Sequence, residues 1–329
     1  MNYRNIFITL AALSGTVTAS AWSAESATVA FLMPDQASTR YEQHDFPGFK
    51  AEMSKLCADC KVIYQNANAN ASLQQQQFNS VIAQGAKVIV LDPVIAYDRP
   101  VPDKPADFYV SFDNEGIGYA IAKSLTDHLK ASGVPQDAGV LQINGSPTDA
   151  AAGLIRDGIH RGLKESGYKT LAEFDTPEWA PPKAQEWTAG QVTRFGDKIK
   201  GVVAANDGTG GGAIAAFKAA GVQPLPPVTG NDATIAALQL IIAGDQYNTI
   251  SKPSEIVAAA AAKVAVDFIQ GKKPQASTTL YNTPSQLFTP EVVTAKNIKA
   301  EIFDKKIQTW DQVCSGEYAA ACQKLGISK

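Results

Sequence analysis

Seven short apolar runs in this sequence end in residues able to do polar chemistry. ATVAFLMP is followed by Asp35 and then Arg40-Tyr41, and KVIVLDPV by Asp98-Arg99, with Asp92 inside it. AGVLQI leads to Asn144 and Asp149, KTLAEFDT to Trp179, and KGVVAA to Asn206-Asp207. PPVTG leads to Asn231-Asp232 and QYNTIS to Lys252. Planar groups with paired donors and acceptors suit vicinal hydroxyls. Aromatic rings suit the C–H faces of a pyranose. Any one of these residues alone reads as a helix N-cap after a strand. Their recurrence at seven strand ends points to a carbohydrate site.

Other chemistries leave weaker marks. KGVVAANDGTGGGA places Gly208, Gly210 and Ala213 in a G-x-G-x-x-A pattern, with Asp232 further on as a dinucleotide fingerprint asks. Asp207, however, sets a carboxylate where a pyrophosphate would lie, so the glycines read as a turn and a loose helix start. No G-x-S-x-G elbow occurs, and the three histidines, His44, His128 and His160, are scattered. No carboxylate spacing demands acid–base chemistry. No cofactor and no metal are expected.

Strand-like and helix-like segments alternate along the chain, which predicts a doubly wound α/β fold, and two such units in series imply two lobes. HDFPGFKAEMSKL is predicted helical. NANANAS reads as a loop and N-cap for ASLQQQQFNSVIAQG, a helix with Phe78, Val81 and Ile82 on one face. PPVTGND is predicted as a strand. In open α/β sheets ligands bind beyond the carboxyl ends of strands, where the polar residues above fall.

The chain has 329 residues, is 45% hydrophobic and carries a formal net charge of −3. It has no basic patch for nucleic acid. At the N-terminus a short head with Arg4 precedes IFITLAALSGTVTA and the A-x-A pattern Ala19-Ser20-Ala21. That is the pattern of a secretory signal peptide, expected to span 1–24. The apolar run falls short of the roughly 20 residues that span a bilayer. Export to an oxidising compartment makes disulfides plausible for the four cysteines. The economical pairs are Cys57 with Cys60 and Cys314 with Cys322. The alternative, a redox or metal site at Cys57-Ala58-Asp59-Cys60, is disfavoured because the motif ends a helix rather than opening one.

From about Thr28 to about Ile298 the chain resembles the periplasmic solute-binding proteins of sugar ABC transporters, ribose/galactose type. YDRPVPDKPADFYVSFDNEGIG, NGSPTDAAAG, VVAANDGTGGGAI, VTGNDA and SKP carry the resemblance, in order and spacing. It implies an α/β protein of two doubly wound parallel-sheet lobes joined by a hinge. The expected lobes are 25–112 with 253–285, and 113–252 with 286–329. It implies a monosaccharide ligand, D-xylose or a similar aldose, held by Arg40, Tyr41, Arg99, Trp179, Asn206, Asp232 and Lys252; the strand-end pattern adds Asp149. It also implies a periplasmic, monomeric, non-catalytic receptor that delivers its ligand to a membrane permease. A secreted sugar-active enzyme or a sugar sensor for a chemoreceptor or kinase are the alternatives.

Two departures from the family stand out. Ala150 and Ala151 occupy positions where the family usually has asparagines, which removes one expected hydrogen bond to sugar. The family also has a helix and most of a strand between LDPV and IAYDR, whereas here Val94 adjoins Ile95. Parallel neighbours ordinarily need a crossover of about a dozen residues. The short join is expected to let the chain hop between adjacent strand ends with Arg99 still at the cleft. It is also expected to leave DFYVSF without one neighbour and to uncover apolar sheet surface, at a cost of several kcal/mol.

Overall fold

The computed structural model describes residues 27–36, 40–90, 95–102 and 106–329. The expected signal peptide, Asp92 and the Val94 side of the short join lie outside these residues.

Two α/β layers share the chain. The first sheet is built from β1 (Thr28–Met33), β2 (Lys61–Asn66), β3 (Ala86–Val90), β4 (Ile95–Tyr97) and β5 (Phe108–Phe112), with β10 (Thr278–Leu280) and β11 (Thr283–Phe288). Its order is β10-β11-β5-β4-β3-β1-β2, parallel throughout except for β10. The second has β7 (Lys169–Asp175), β6 (Gly139–Asn144) and β8 (Ile199–Ala204) in parallel, and β9 (Asn248–Ser251) antiparallel to β12 (Glu291–Thr294). The predicted PPVTGND strand is reduced to a single bridge, Val202 to Val228. Its backbone still links the two parts: Thr229 N–H donates to Val202 O, and Tyr247 N–H donates to Val228 O. The prolines before Val228 lack the N–H groups a central strand needs.

Helices α1 (Phe46–Leu56), α2 (Ala71–Ala83) and α8 (Ser254–Ile269) pack on the first sheet. Helices α3 (Asn114–Ala131), α4 (Ala150–Ser166), α5 (Pro181–Phe195), α6 (Asp207–Ala219) and α7 (Ile235–Ala243) belong with the second. The chain passes between the layers after β5, after β9 and after β11. Because β11 pairs with β5 through Phe288, the first layer extends past the boundary expected at 285. In α2 the Asn70 side chain accepts from Leu73 N–H as an N-cap, and Val81 is buried with Phe78 packed beside it. Ile82 is instead half exposed, so the apolar face is narrower than its sequence suggests.

The short join behaves differently from expectation. β4 is only three residues long, but it lies between β3, through Val90 and Ile95, and β5, through three residue pairs. β5 therefore keeps a neighbour on both sides, with β11 on the other. Nor is the sheet face bare. Ala96 and Tyr109 are 2% and 1% exposed, packed with Ala106 and Val101 and flanked on the same sheet by Leu280 and Leu287. Val101 and Ala106, both after β4, pack against this face.

Both expected cysteine pairs are bonded, Cys57 with Cys60 and Cys314 with Cys322. Cys57 caps the C-terminus of α1, and Cys314 and Cys322 are fully buried beside Ile302 and Val313. Among the described residues no group of three acidic, His or Cys side chains could hold a metal ion. No described helix is long and apolar enough to cross a membrane.

Candidate functional site

A cavity of about 580 Å³ opens where the carboxyl ends of the two sheets face each other. Of the eight residues expected at a ligand, Arg40, Arg99, Asp149, Trp179, Asn206, Asp232 and Lys252 line it. Tyr41 does not. One turn of π-helix, Tyr41–Asp45, directs it inward, where it is 1% exposed and its hydroxyl donates to Asp98 Oδ2 at 2.8 Å. The ring that was expected to face a sugar orients a cavity carboxylate instead.

Asp98 itself belongs to the site. It adopts a left-handed backbone, φ 62°, which costs energy for a residue with a Cβ. Its neighbours hold it there: the Tyr109 hydroxyl donates to its carbonyl at 2.8 Å and Ser111 Oγ at 3.0 Å. Its carboxylate pairs with Arg40 Nη2, whose Nη1 is bound to buried Asp45 at 2.9 Å. Burial pushes the Asp98 pKa up, but Arg40, Lys252 and Arg99, with the Tyr41 hydrogen bond, outweigh it and hold the group well below the usual carboxylate range. Aspartates Asp35 and Asp98 stood among the strand-end residues, but only adjacency to Arg99 in sequence marked Asp98 as a partner.

Arg99, just past β4, joins the two layers. Its Nη2 meets Asp35 Oδ2 at 2.9 Å, and its Nε meets Asp149 Oδ2 at 3.0 Å. Asp149 caps α4 through Oδ1 and also accepts from Trp179 Nε1 at 3.1 Å. Glu178 and Trp179 both have positive φ, 56° and 58°. The indole is seated against Gly145, where any Cβ would collide with the ring. Asn144 turns away toward Glu173 and Asp175 on β7.

On the far wall Lys252 Nζ pairs with Asp232 Oδ1 at 2.7 Å. Asn206 caps α6 in a capping box with Thr209. The glycines after it, expected as a turn and a loose helix start, lie inside α6. Asp207 is buried and accepts from Thr234 N, Thr234 Oγ1, Thr249 Oγ1 and Gln246 Nε2. Burial, then the charge of Asp232, push its pKa up to about 7 against those donors.

The chemistry of the wall is therefore specific. Arg40, Arg99 and Lys252 are each already paired with carboxylates, so the site is not arranged to draw in an anion. It offers fixed donors and acceptors beside an indole, the set a neutral polyhydroxyl compound uses.

Fold and site together define a two-lobed binding protein with its ligand cleft between parallel sheets. Residues 29–273 match the periplasmic binding protein domain, and the chain belongs to that family. It is 36% identical to a D-xylose-binding periplasmic protein of Escherichia coli over 91% of this chain and 96% of that one. It is 31% identical to a D-xylose-binding periplasmic protein of Haemophilus influenzae, over 77% and 82% of the two chains. The fold also matches a crystallised ABC transporter solute-binding protein of Clostridium phytofermentans with bound β-D-glucose, at TM-score 0.78 and 24% identity, covering 87% of this chain and 99% of that one.

Proposed function

We propose that the chain is a non-catalytic periplasmic receptor that captures a monosaccharide between its two lobes and delivers it to an ABC transporter permease. The lobes are those built on the two sheets, and Arg40, Arg99, Asp149, Trp179, Asn206, Asp232 and Lys252 hold the sugar, with Asp98 added to them. D-xylose or a similar aldose is the preferred ligand, in line with the relatives named for D-xylose. The observation that carries the reading is Arg99, whose guanidinium reaches Asp35 from the first layer and Asp149 from the second. A hydroxyl-rich ligand that engages these groups engages both lobes at once, and hinge closure of this kind is a known way to present a ligand.

Calorimetry on the mature protein with a panel of pentoses and hexoses tests the reading. Saturable binding of at least one aldose, released chemically unchanged, is the expected result. Arg99→Ala and Asp232→Ala should each weaken it by about tenfold or more, since a hydrogen bond to a charged group is worth about 1.5–3 kcal/mol. Folded protein that binds no sugar sinks the proposal, and turnover of a bound sugar would favour the enzyme reading.

A further inference from the structure

Away from its ion pairs the cavity wall is largely apolar, with Gln185 of α5 as the polar exception along α5–α7 beyond Asp207. On α6 the residues facing the cavity are Asp207 at its start and then Gly208, Gly211, Gly212 and Ala215, and on α7 they include Ala236 and Leu240. An α-helix rises about 1.5 Å per residue, so from Gly208 to Ala215 this wall runs on for about 10 Å. The cavity of about 580 Å³ is open at its mouth, so a group on the sugar can extend out of the cleft along this wall.

Gly211 keeps this wall clear of side chains. Helix-interior glycine is unfavourable relative to alanine. Gly212 has a packing reason, because a Cβ there would lie 2.5 Å from Pro181 O. Gly211 has none: a Cβ would meet nothing within 4 Å. Its missing side chain leaves the cavity wall open next to the sugar end.

We propose that this site accepts a glycoside, with the sugar at the charged end and an apolar aglycone along the α6–α7 wall. The proposal rests on the sugar reading of the charged end. Beyond Asp207 this wall is apolar apart from Gln185 of α5, so an aryl or alkyl group is the occupant that fits most of its surface.

Calorimetry with free D-xylose, both anomers of its methyl and phenyl glycosides, and a xylose disaccharide tests it. Burying an apolar ring of phenylalanine size is worth about tenfold or more in affinity, so at least one phenyl glycoside should bind about tenfold tighter than the free sugar. Gly211→Leu should erase that gain and leave free-sugar affinity within about twofold. Ala236→Glu, at an exposed position on α7, should do the same without relying on the helix interior. If free sugar binds and no phenyl glycoside binds tighter, the proposal is overturned while the receptor reading stands. It is also overturned if the disaccharide binds tighter than every phenyl glycoside, or if both variants keep the gain. Loss of free-sugar affinity in both variants would make the wall part of the sugar's own seat, and would overturn it too. If folded protein binds none of these ligands, the receptor reading falls and takes the proposal with it.

Discussion

At the scale of single residues the site is organised by carboxylates whose environments pull them in opposite directions. Asp98 is buried among cations and stays ionised, while Asp207 is buried beside another carboxylate and is pushed up to about 7. A carboxyl with a raised folded pKa binds its proton more tightly in the folded state. Its contribution to stability is therefore complete below about pH 4 and is lost as pH rises through about 7. Asp207→Asn cannot titrate, so its urea midpoint should fall less than the wild type's between about pH 5 and about pH 8. Equal falls in the two proteins would remove Asp207 from the account. Neither partner set was legible in the sequence. Thr234, Thr249 and Gln246 are spread over the loop before α7 and the approach to β9, and only the fold collects them around Asp207. Arg99, Asp232 and Lys252 were legible because strand ends in a parallel α/β sheet converge on one edge. Tyr41 was misplaced because its rank after β1 says nothing of a π-helical turn, which rotates the residue behind Asp98.

Elements show the same division. Strand–helix alternation was read correctly through most of the chain because periodicity and β-branched runs are local signals. PPVTGND failed as a strand because two prolines leave it donors for little more than one bridge. The helix over GGGAIAAFKAAG was read correctly, but α6 starts earlier, at Asp207, where glycine's poor helical propensity gave the sequence the look of a turn. What holds it is the Asn206–Thr209 capping box at one end and contact with α5 along its side. The glycines are consequently unequal. Gly211→Ala should stabilise the protein by about 0.5–1 kcal/mol, because the methyl enters open space and the unfolded chain loses freedom. Gly212→Ala should destabilise it, because its methyl meets the Pro181 carbonyl and α5 cannot retreat without losing its seat on α6. Denaturant midpoints of the two variants provide the comparison, and the same sign for both would show that α5 and α6 are not in the contact described.

For the whole molecule the question is what the short join between β3 and β4 does to a lobe for which the family resemblance implies a further crossover. On sequence alone the chain would be less stable than a version with that crossover restored, by the several kcal/mol that a few hundred Å² of uncovered apolar surface represents at about 25 cal/mol per Å². That argument requires an unpaired β5 and a bare sheet face. Neither is present: β5 has β4 and β11 as neighbours, and Tyr109 and Ala96 are buried with Ala106 and Val101 packed against them. Arg99 also already reaches Asp35 and Asp149, so a longer join has no misplaced cation to correct. Inserting a helix–strand crossover after Val94 should therefore change stability by no more than about 1–2 kcal/mol, since a new helix on this face would have to displace Val101 and Ala106 from Tyr109. Sugar affinity should be unchanged. The measurement is a pair of denaturant melts, each with and without the sugar found by calorimetry. If the extended chain proves more stable by several kcal/mol, or binds much more tightly, then the segment after β4 does not replace the crossover. The shortened join would then be a defect of the first lobe, as the sequence alone suggested.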